Sequence, residues 1–336
     1  MDTQLLIGNL TNPTLLFFVL GIFAAALKSD LEIPASSSKF ISLYLLFSIG
    51  FKGGQELAHS NWGPEIGWSL AFALLLASII PLYSFFILKL RLEVDDSAAI
   101  ASSYGSVSAV TFVAAVAFLE MQQLSFGGHM VAVMALMEAP AIIVGVLLLK
   151  LYSPKNDSNS NEVQTTEVNH PQKKEDSSLI KIVKHALING SVLMIVGSLI
   201  IGIVADSKQA EGIKPFTTDI FKGFLALFLL DMGMVTARRF KSFIQYGGFV
   251  TIFALLIPAI NGCLVAYASD WIMLDVGNRF IFAVLAASAS YIAVPAAMKI
   301  AAPKADPGLY VPMALGVTFP FNITLGMPLY FWIIQG

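Results

Sequence analysis

The chain has 336 residues, of which 57% are hydrophobic and 12% charged, with a formal net charge of −2. Soluble domains carry about 25% charged residues, so this composition excludes an ordinary globular domain and points to repeated membrane crossing. The near-zero charge leaves no global field for nucleic acid, and the single cysteine, Cys263, has no intrachain disulfide partner and reads as a small buried hydrophobe.

A helix needs about 20 apolar residues to cross the hydrocarbon core. In chain order that ruler predicts spans near 13–28, 39–58, 65–90, 97–119 and 128–152. After a polar stretch it predicts five more, near 180–205, 216–237, 245–269, 278–300 and 310–334. Ala24-Ala25-Ala26 imitates a signal-peptide cleavage site, but an acidic Asp2 and no Lys or Arg precede it, so the first segment is expected to stay as a span. Residues 153–178 mix serines, threonines, prolines and charges with little to bury, and are expected to be a flexible linker.

Charge sets the expected orientation. Of the 20 Lys and Arg, 15 fall in or beside the loops after spans 1, 3, 5, 7 and 9. Lys208, Lys214 and Arg279 fall on the other side, and Lys52 and Lys222 inside spans. The positive-inside rule makes the first side cytoplasmic and leaves both termini outside. Five spans per half is an odd number, so the second half enters the membrane in the opposite sense. The expectation is an all-α integral membrane protein of ten helices. It is built from a first five-helix repeat (1–152), a cytoplasmic linker (153–178) and a second, inverted repeat (179–336). Within the spans, Lys52 is expected to pair with Glu56 one turn on, and Lys222 to snorkel to the outer interface.

Echoes between the halves locate the centre of this repeat. Aligning Ser106 with Ser290, an offset of 184, also puts Ala109 on Ala293 and Val110 on Val294. Gly50 pairs with Gly233 at offset 183, and Pro140 with Pro320 at offset 180. Small, hydroxyl-bearing and helix-breaking residues there predict that spans 4 and 9 break near Tyr104–Ser108 and Ala289–Pro295. Freed backbone groups must be satisfied by protein or a lined cavity. Half-helix N-termini, with unpaired N–H groups, suit a small anion, and the preceding carbonyl ends suit Na⁺. The hydroxyls of Ser106, Ser108 and Ser290 add donors. Glu138 lies in span 5 two residues before Pro140, and its repeat partner lies beside Thr318 and Asn322, which favours a cation-linked role. For Asp231, in span 7, a functional and a structural role weigh equally. No phosphate loop, zinc spacing or nucleophile–base pattern marks an enzyme.

Ser288–Met298 (SASYIAVPAAM) and Gly316–Ile323 (GVTFPFNI) resemble the sodium-dependent bicarbonate transporter family, as do Gly105-Ser106-Val107-Ser108 and Met137-Glu138-Ala139-Pro140. The likeness runs from the first span to the last. It departs at Ala109, where glycine is expected, and at Glu138, where aspartate is expected. The resemblance implies crossed broken helices 4 and 9 and Na⁺-coupled bicarbonate uptake by alternating access. It also implies a homotrimer in the plasma (bacterial inner) membrane, open to a PII-like regulatory protein on the cytoplasmic side. By that resemblance Ser106, Ser108, Ser290 and Tyr291 fall at the anion site, and Gly105, Glu138, Thr318 and Asn322 near Na⁺, with no cofactor beyond that ion. Alternatives are a Na⁺ symporter of another small anion, such as a short carboxylate, and a membrane anion sensor signalling through 153–178.

Overall fold

A computed structural model describes residues 11–59, 63–153, 190–243 and 246–336. Among them there are helices and no strands. The helices are α1 (Pro13–Ala26), α2 (Ala35–His59), α3 (Pro64–Leu88), α4 (Val94–Gly105), α5 (Ala109–Met121), α6 (His129–Tyr152) and α7 (Gly190–Val204). Then follow α8 (Phe221–Phe243), α9 (Gly248–Ala268), α10 (Val276–Ala286), α11 (Ala293–Ala301) and α12, which runs from Pro307 to Gln335. Short turns of helix, Ser207–Glu211 and Pro215–Asp219, lead into α8. Helices cover most of the described residues of each expected span, with spans 4 and 9 interrupted at 106–108 and 287–292. The linker expected over 153–178 lies outside the described residues beyond Ser153.

Among the described residues six helical segments are long and apolar enough to cross a membrane: Pro64–Leu88, Val94–Met121, His129–Tyr152, Pro215–Arg238, Gly248–Trp271 and Pro307–Gln335. Pro13–Ala26, Gly190–Val204 and Val276–Ala286 are apolar but shorter. α2 has the length, but Ser36, Ser37, Ser38, Lys39, Lys52, Gln55 and Glu56 dilute its hydropathy. Large apolar side chains such as Phe23, Leu75, Ile201 and Leu264 face outward, as a lipid-facing surface requires. The broken segment Val94–Met121 is the exception. Of its apolar window 94% is buried, against 33% for Pro64–Leu88, so its irregular backbone is shielded by protein.

Two helix pairs close on backbone. α1 lies along α8 and α2 along α7. A Cβ on Gly21 would sit 2.1 Å from the Leu230 carbonyl oxygen, and one on Gly233 2.1 Å from that of Phe18. In the other pair, a Cβ on Gly54 would meet the Leu199 oxygen at 2.2 Å, and one on Gly202 that of Phe51 at 2.3 Å. Such small-residue contacts let lipid-embedded helices pack by dispersion alone. The remaining helices form a second group: α3 packs on α4 and α6, and α9 on α10 and α12.

Among the described residues two large apolar clusters fill most of the interior, beside a small one of Ala24, Leu230 and Met234. Of the large two, one holds Phe112, Phe118, Phe280 and Phe331; the other holds Phe85, Tyr104, Phe253 and Met298. The chain passes from one cluster to the other at the two breaks, between Tyr104 and Val107 and between Ala287 and Ala289. α12 also departs from α geometry, with π-helical turns at Met313–Thr318 and Asn322–Gly326 around Pro320. A proline has no N–H to give, and a widened turn absorbs the missing bond.

At the end carrying Lys28, Tyr246 donates to Asp306 Oδ2 at 2.5 Å, and the Asp306 N–H donates to Asp96 Oδ1 at 2.8 Å. The Asp306 bond, with some burial, pushes the Tyr246 phenol up to about 12. At the end carrying His59, Arg279 pairs with Asp270 at 2.7 Å and donates to the Ala266 carbonyl at 3.3 Å, so it closes the C-terminus of α9. Arg279→Met is expected to destabilise the protein by about 1–2 kcal/mol, read as a lower melting temperature in detergent. An unchanged melting temperature would remove this role.

Candidate functional site at the two helix breaks

The breaks arise from local sequence and are held by each other. α4 ends at Gly105 because a Cβ there would lie 2.4 Å from the Pro81 ring of α3; only glycine fits this approach. After Ser106 and Val107, Ser108 caps α5, its hydroxyl accepting from the Thr111 N–H at 3.1 Å. In the second half α10 stops at Ala286 and α11 starts at Ala293. The Ser290 N–H donates to the Ser103 carbonyl at 2.8 Å, and the Ser103 hydroxyl returns a bond to the Ser290 carbonyl. The Ser108 N–H donates to the Ser288 hydroxyl at 3.0 Å. α10 packs on α5 and α11 on α4, so each half-helix lies against the opposite half of the other.

Ser108, Ser290, Tyr291 and Glu138 line one recess of about 20 Å³, with Val107, Ala109, Ser191 and Ile292. A water needs about 10–15 Å³, so the recess admits one water-sized species and not a whole bicarbonate. Ser191, Tyr291 and Ile292 also line a larger cavity of about 970 Å³. Its shallow part is bounded by the exposed Glu32, Lys39 and Arg238, and its deep part by the buried Asp231, Met232 and Leu315. Asp231 accepts from the Ser38 hydroxyl at 2.5 Å. This vestibule therefore joins the Lys28 end of the molecule to the recess.

Three polar features at or beside the breaks have no partner among the described residues that accounts for them. The Ser106 hydroxyl is buried without a hydrogen-bond partner, an arrangement that leaves a desolvated donor unpaid. Glu138 forms no ion pair with a described lysine or arginine. α11 has no side-chain cap, and Ile292 at its N-cap position lines both the recess and the vestibule.

Thr318 and Asn322 are placed differently. Thr318 donates to the Ala254 carbonyl at 2.8 Å and lies 2.7 Å from the Tyr104 hydroxyl. Asn322 donates to the Ala287 carbonyl at 2.7 Å, and the Tyr330 hydroxyl lies 3.0 Å from its Oδ1. Both thus tie α12 to the ends of the half-helices, and neither lines the recess. Sequence reasoning missed Ser191, Ser103 and Ser288. Ser288 lay within the quoted motif; Ser191, at the start of α7, carried no local signal.

No curated protein matches this chain. A family model describing the Na⁺-dependent bicarbonate transporter superfamily matches residues 13–335, so the chain belongs to that superfamily.

Proposed function

We propose that the protein imports bicarbonate together with Na⁺ by alternating access, from two inverted five-helix repeats, 1–152 and 179–336, joined by a cytoplasmic linker. The Lys28 end faces the cytoplasm and the His59 end faces out, as the distribution of Lys and Arg requires. Inversion is supported by the glycine contacts. Gly202 follows Gly21 by 181 residues and Gly233 follows Gly54 by 179, so the α1–α8 and α2–α7 contacts are the same contact made once from each half. The family resemblance adds a homotrimer and a PII-like partner to this reading.

The observation that carries the proposal is the recess, where an unpaired Glu138 meets Ser108, Ser290 and Tyr291 at the inner end of a vestibule. In this reading Na⁺ sits by Glu138 and the anion meets the bare N–H groups of α11 and the Ser106 and Ser290 hydroxyls. Ser108 already caps its own helix, which makes α11 the stronger anion donor of the two. With the vestibule on the cytoplasmic side, the conformation is inward-open. Coupling follows from charge: one negative charge moved inward against the membrane potential costs about 2.3 kcal/mol per 100 mV, and a co-transported Na⁺ cancels that term.

The test is [¹⁴C]bicarbonate uptake into proteoliposomes with Na⁺ or K⁺ outside. Accumulation that requires Na⁺ supports the reading; binding without accumulation favours an anion sensor, and stronger competition by short carboxylates favours another substrate. Ser106→Ala and Ser290→Ala are each expected to weaken bicarbonate dependence about tenfold or more, the worth of one hydrogen bond to a charged group, with protein yield unchanged. Wild-type uptake at limiting bicarbonate in both would take these serines out of the site.

A further inference from the structure

At the His59 end lies a cleft of about 140 Å³ lined by Ile49, Lys52, Glu56, Glu120 and Phe221 among others. Glu120 sits in the last turn of α5 and bridges two helices of the other group: Oε1 lies 3.6 Å from Lys52 Nζ of α2, and Oε2 3.3 Å from Lys222 Nζ of α8. The pairing expected from sequence is thereby corrected. Lys52 makes its ion pair with Glu120 across a helix–helix boundary, the α5 carboxylate coming within 3.6 Å of its Nζ, while Glu56 on its own helix feels the ammonium only as a nearby charge. Lys222, expected only to snorkel, shares the same carboxylate.

A carboxylate is planar, singly charged and presents two oxygens on one carbon, which are also the features of bicarbonate. Building on the transport reading above, we propose that Lys52 and Lys222 form an outer capture site for a small oxyanion, which Glu120 fills in this inward-open conformation. Three observations support it. The lysines come from α2 and α8 and the carboxylate from α5 in the broken-helix group, so the ion pairs span the boundary at which a relative movement of the groups would part them. Once Glu120 leaves, Lys52, Lys222 and Glu56 carry a net charge of +1 in the cleft. At about 30 Å³ per liquid water, the 140 Å³ cleft has room for a four-heavy-atom anion with some hydration. Exposed ion pairs are weak and exchange readily, and the Lys222 side chain is 67% exposed. Glu120 then competes with the incoming anion while the outer side is closing, and holds that side shut once the anion has passed inward.

The experiment reads charge at position 222 within one folded protein. Lys222→Cys is made in a Cys263→Ala background and reconstituted, and the outward-facing thiol is treated with a cationic or an anionic methanethiosulfonate. Initial [¹⁴C]bicarbonate uptake is measured at saturating Na⁺. The untreated variant should show a KM for external bicarbonate raised about two- to fivefold, the range of an exposed ion pair. The cationic adduct should restore it and the anionic adduct raise it further. Glu120→Gln, which frees both lysines, should lower KM. A KM indifferent to the adduct's charge overturns the capture site, as does a rise in Glu120→Gln equal to that in Lys222→Cys, which would make the triad a structural strap. If the Cys263→Ala parent itself fails to accumulate label, the transport reading falls with it; normal transport with a charge-blind KM rejects this site alone.

Discussion

Glu138→Gln is expected to raise the Na⁺ concentration for half-maximal uptake about tenfold or more, while the bicarbonate dependence at saturating Na⁺ shifts less. The carboxylate faces a recess of about 20 Å³ with three hydroxyl-bearing neighbours from the motifs and no described cationic partner. A charge kept in such a place is usually a functional group, and interactions of charged groups are worth about 1.5–3 kcal/mol, one to two decades in affinity. Glutamine preserves size and one acceptor oxygen but deletes the charge that would balance Na⁺. A purely structural carboxyl would lower the amount of folded protein and leave the Na⁺ dependence of the remainder alone. Uptake normalised to membrane protein and titrated with Na⁺ separates the two, and a wild-type Na⁺ curve would end the assignment.

The second large effect is on folding. Gly202→Ala and Gly197→Ala make the same chemical change five residues apart on α7, yet opposite outcomes are expected. A Cβ at Gly202 would lie 2.3 Å from the Phe51 carbonyl oxygen and 2.9 Å from the Gly54 Cα, whereas one at Gly197 meets nothing within 4 Å. Backbone cannot rotate away as a side chain can, so α2 and α7 must separate, at a cost of about 1–3 kcal/mol or more. At Gly197 the alanine should be neutral or stabilise by up to about 1 kcal/mol through helix propensity. Melting temperatures in detergent decide it. Equal shifts for the two variants would mean that the α2–α7 contact is looser than the structure has it.

These residues also mark how far local information reaches. Apolar runs of span length and the punctuation by Gly, Ser and Pro are properties of consecutive residues, so the helices and the break after Gly105 could be read directly; the second break, expected over Ala289–Pro295, lies between Ala286 and Ala293, because Pro295 is tolerated in the first turn of α11, where no N–H is needed. The offsets near 180 hinted at the symmetry, but the glycine contacts match Gly233 with Gly54 and not with Gly50, at nearly the spacing that relates Gly21 to Gly202. Four of the eight residues proposed for the site, Ser108, Glu138, Ser290 and Tyr291, line one recess.

What the sequence by itself determined, then, is the helical membrane class, the family and the position of both breaks, because each depends on composition and short-range pattern. Only the tertiary structure decided which groups meet there. Ser191 reaches the recess from α7, Thr318 is taken up by the Ala254 carbonyl within α9 and Asn322 by the Ala287 carbonyl at the end of α10, and Lys52 reaches Glu120. Each of those outcomes depends on which backbone carbonyl or carboxylate of a distant segment comes within about 3 Å. That distance is set by how closely glycine-lined helices approach one another, and no window of neighbouring residues contains it.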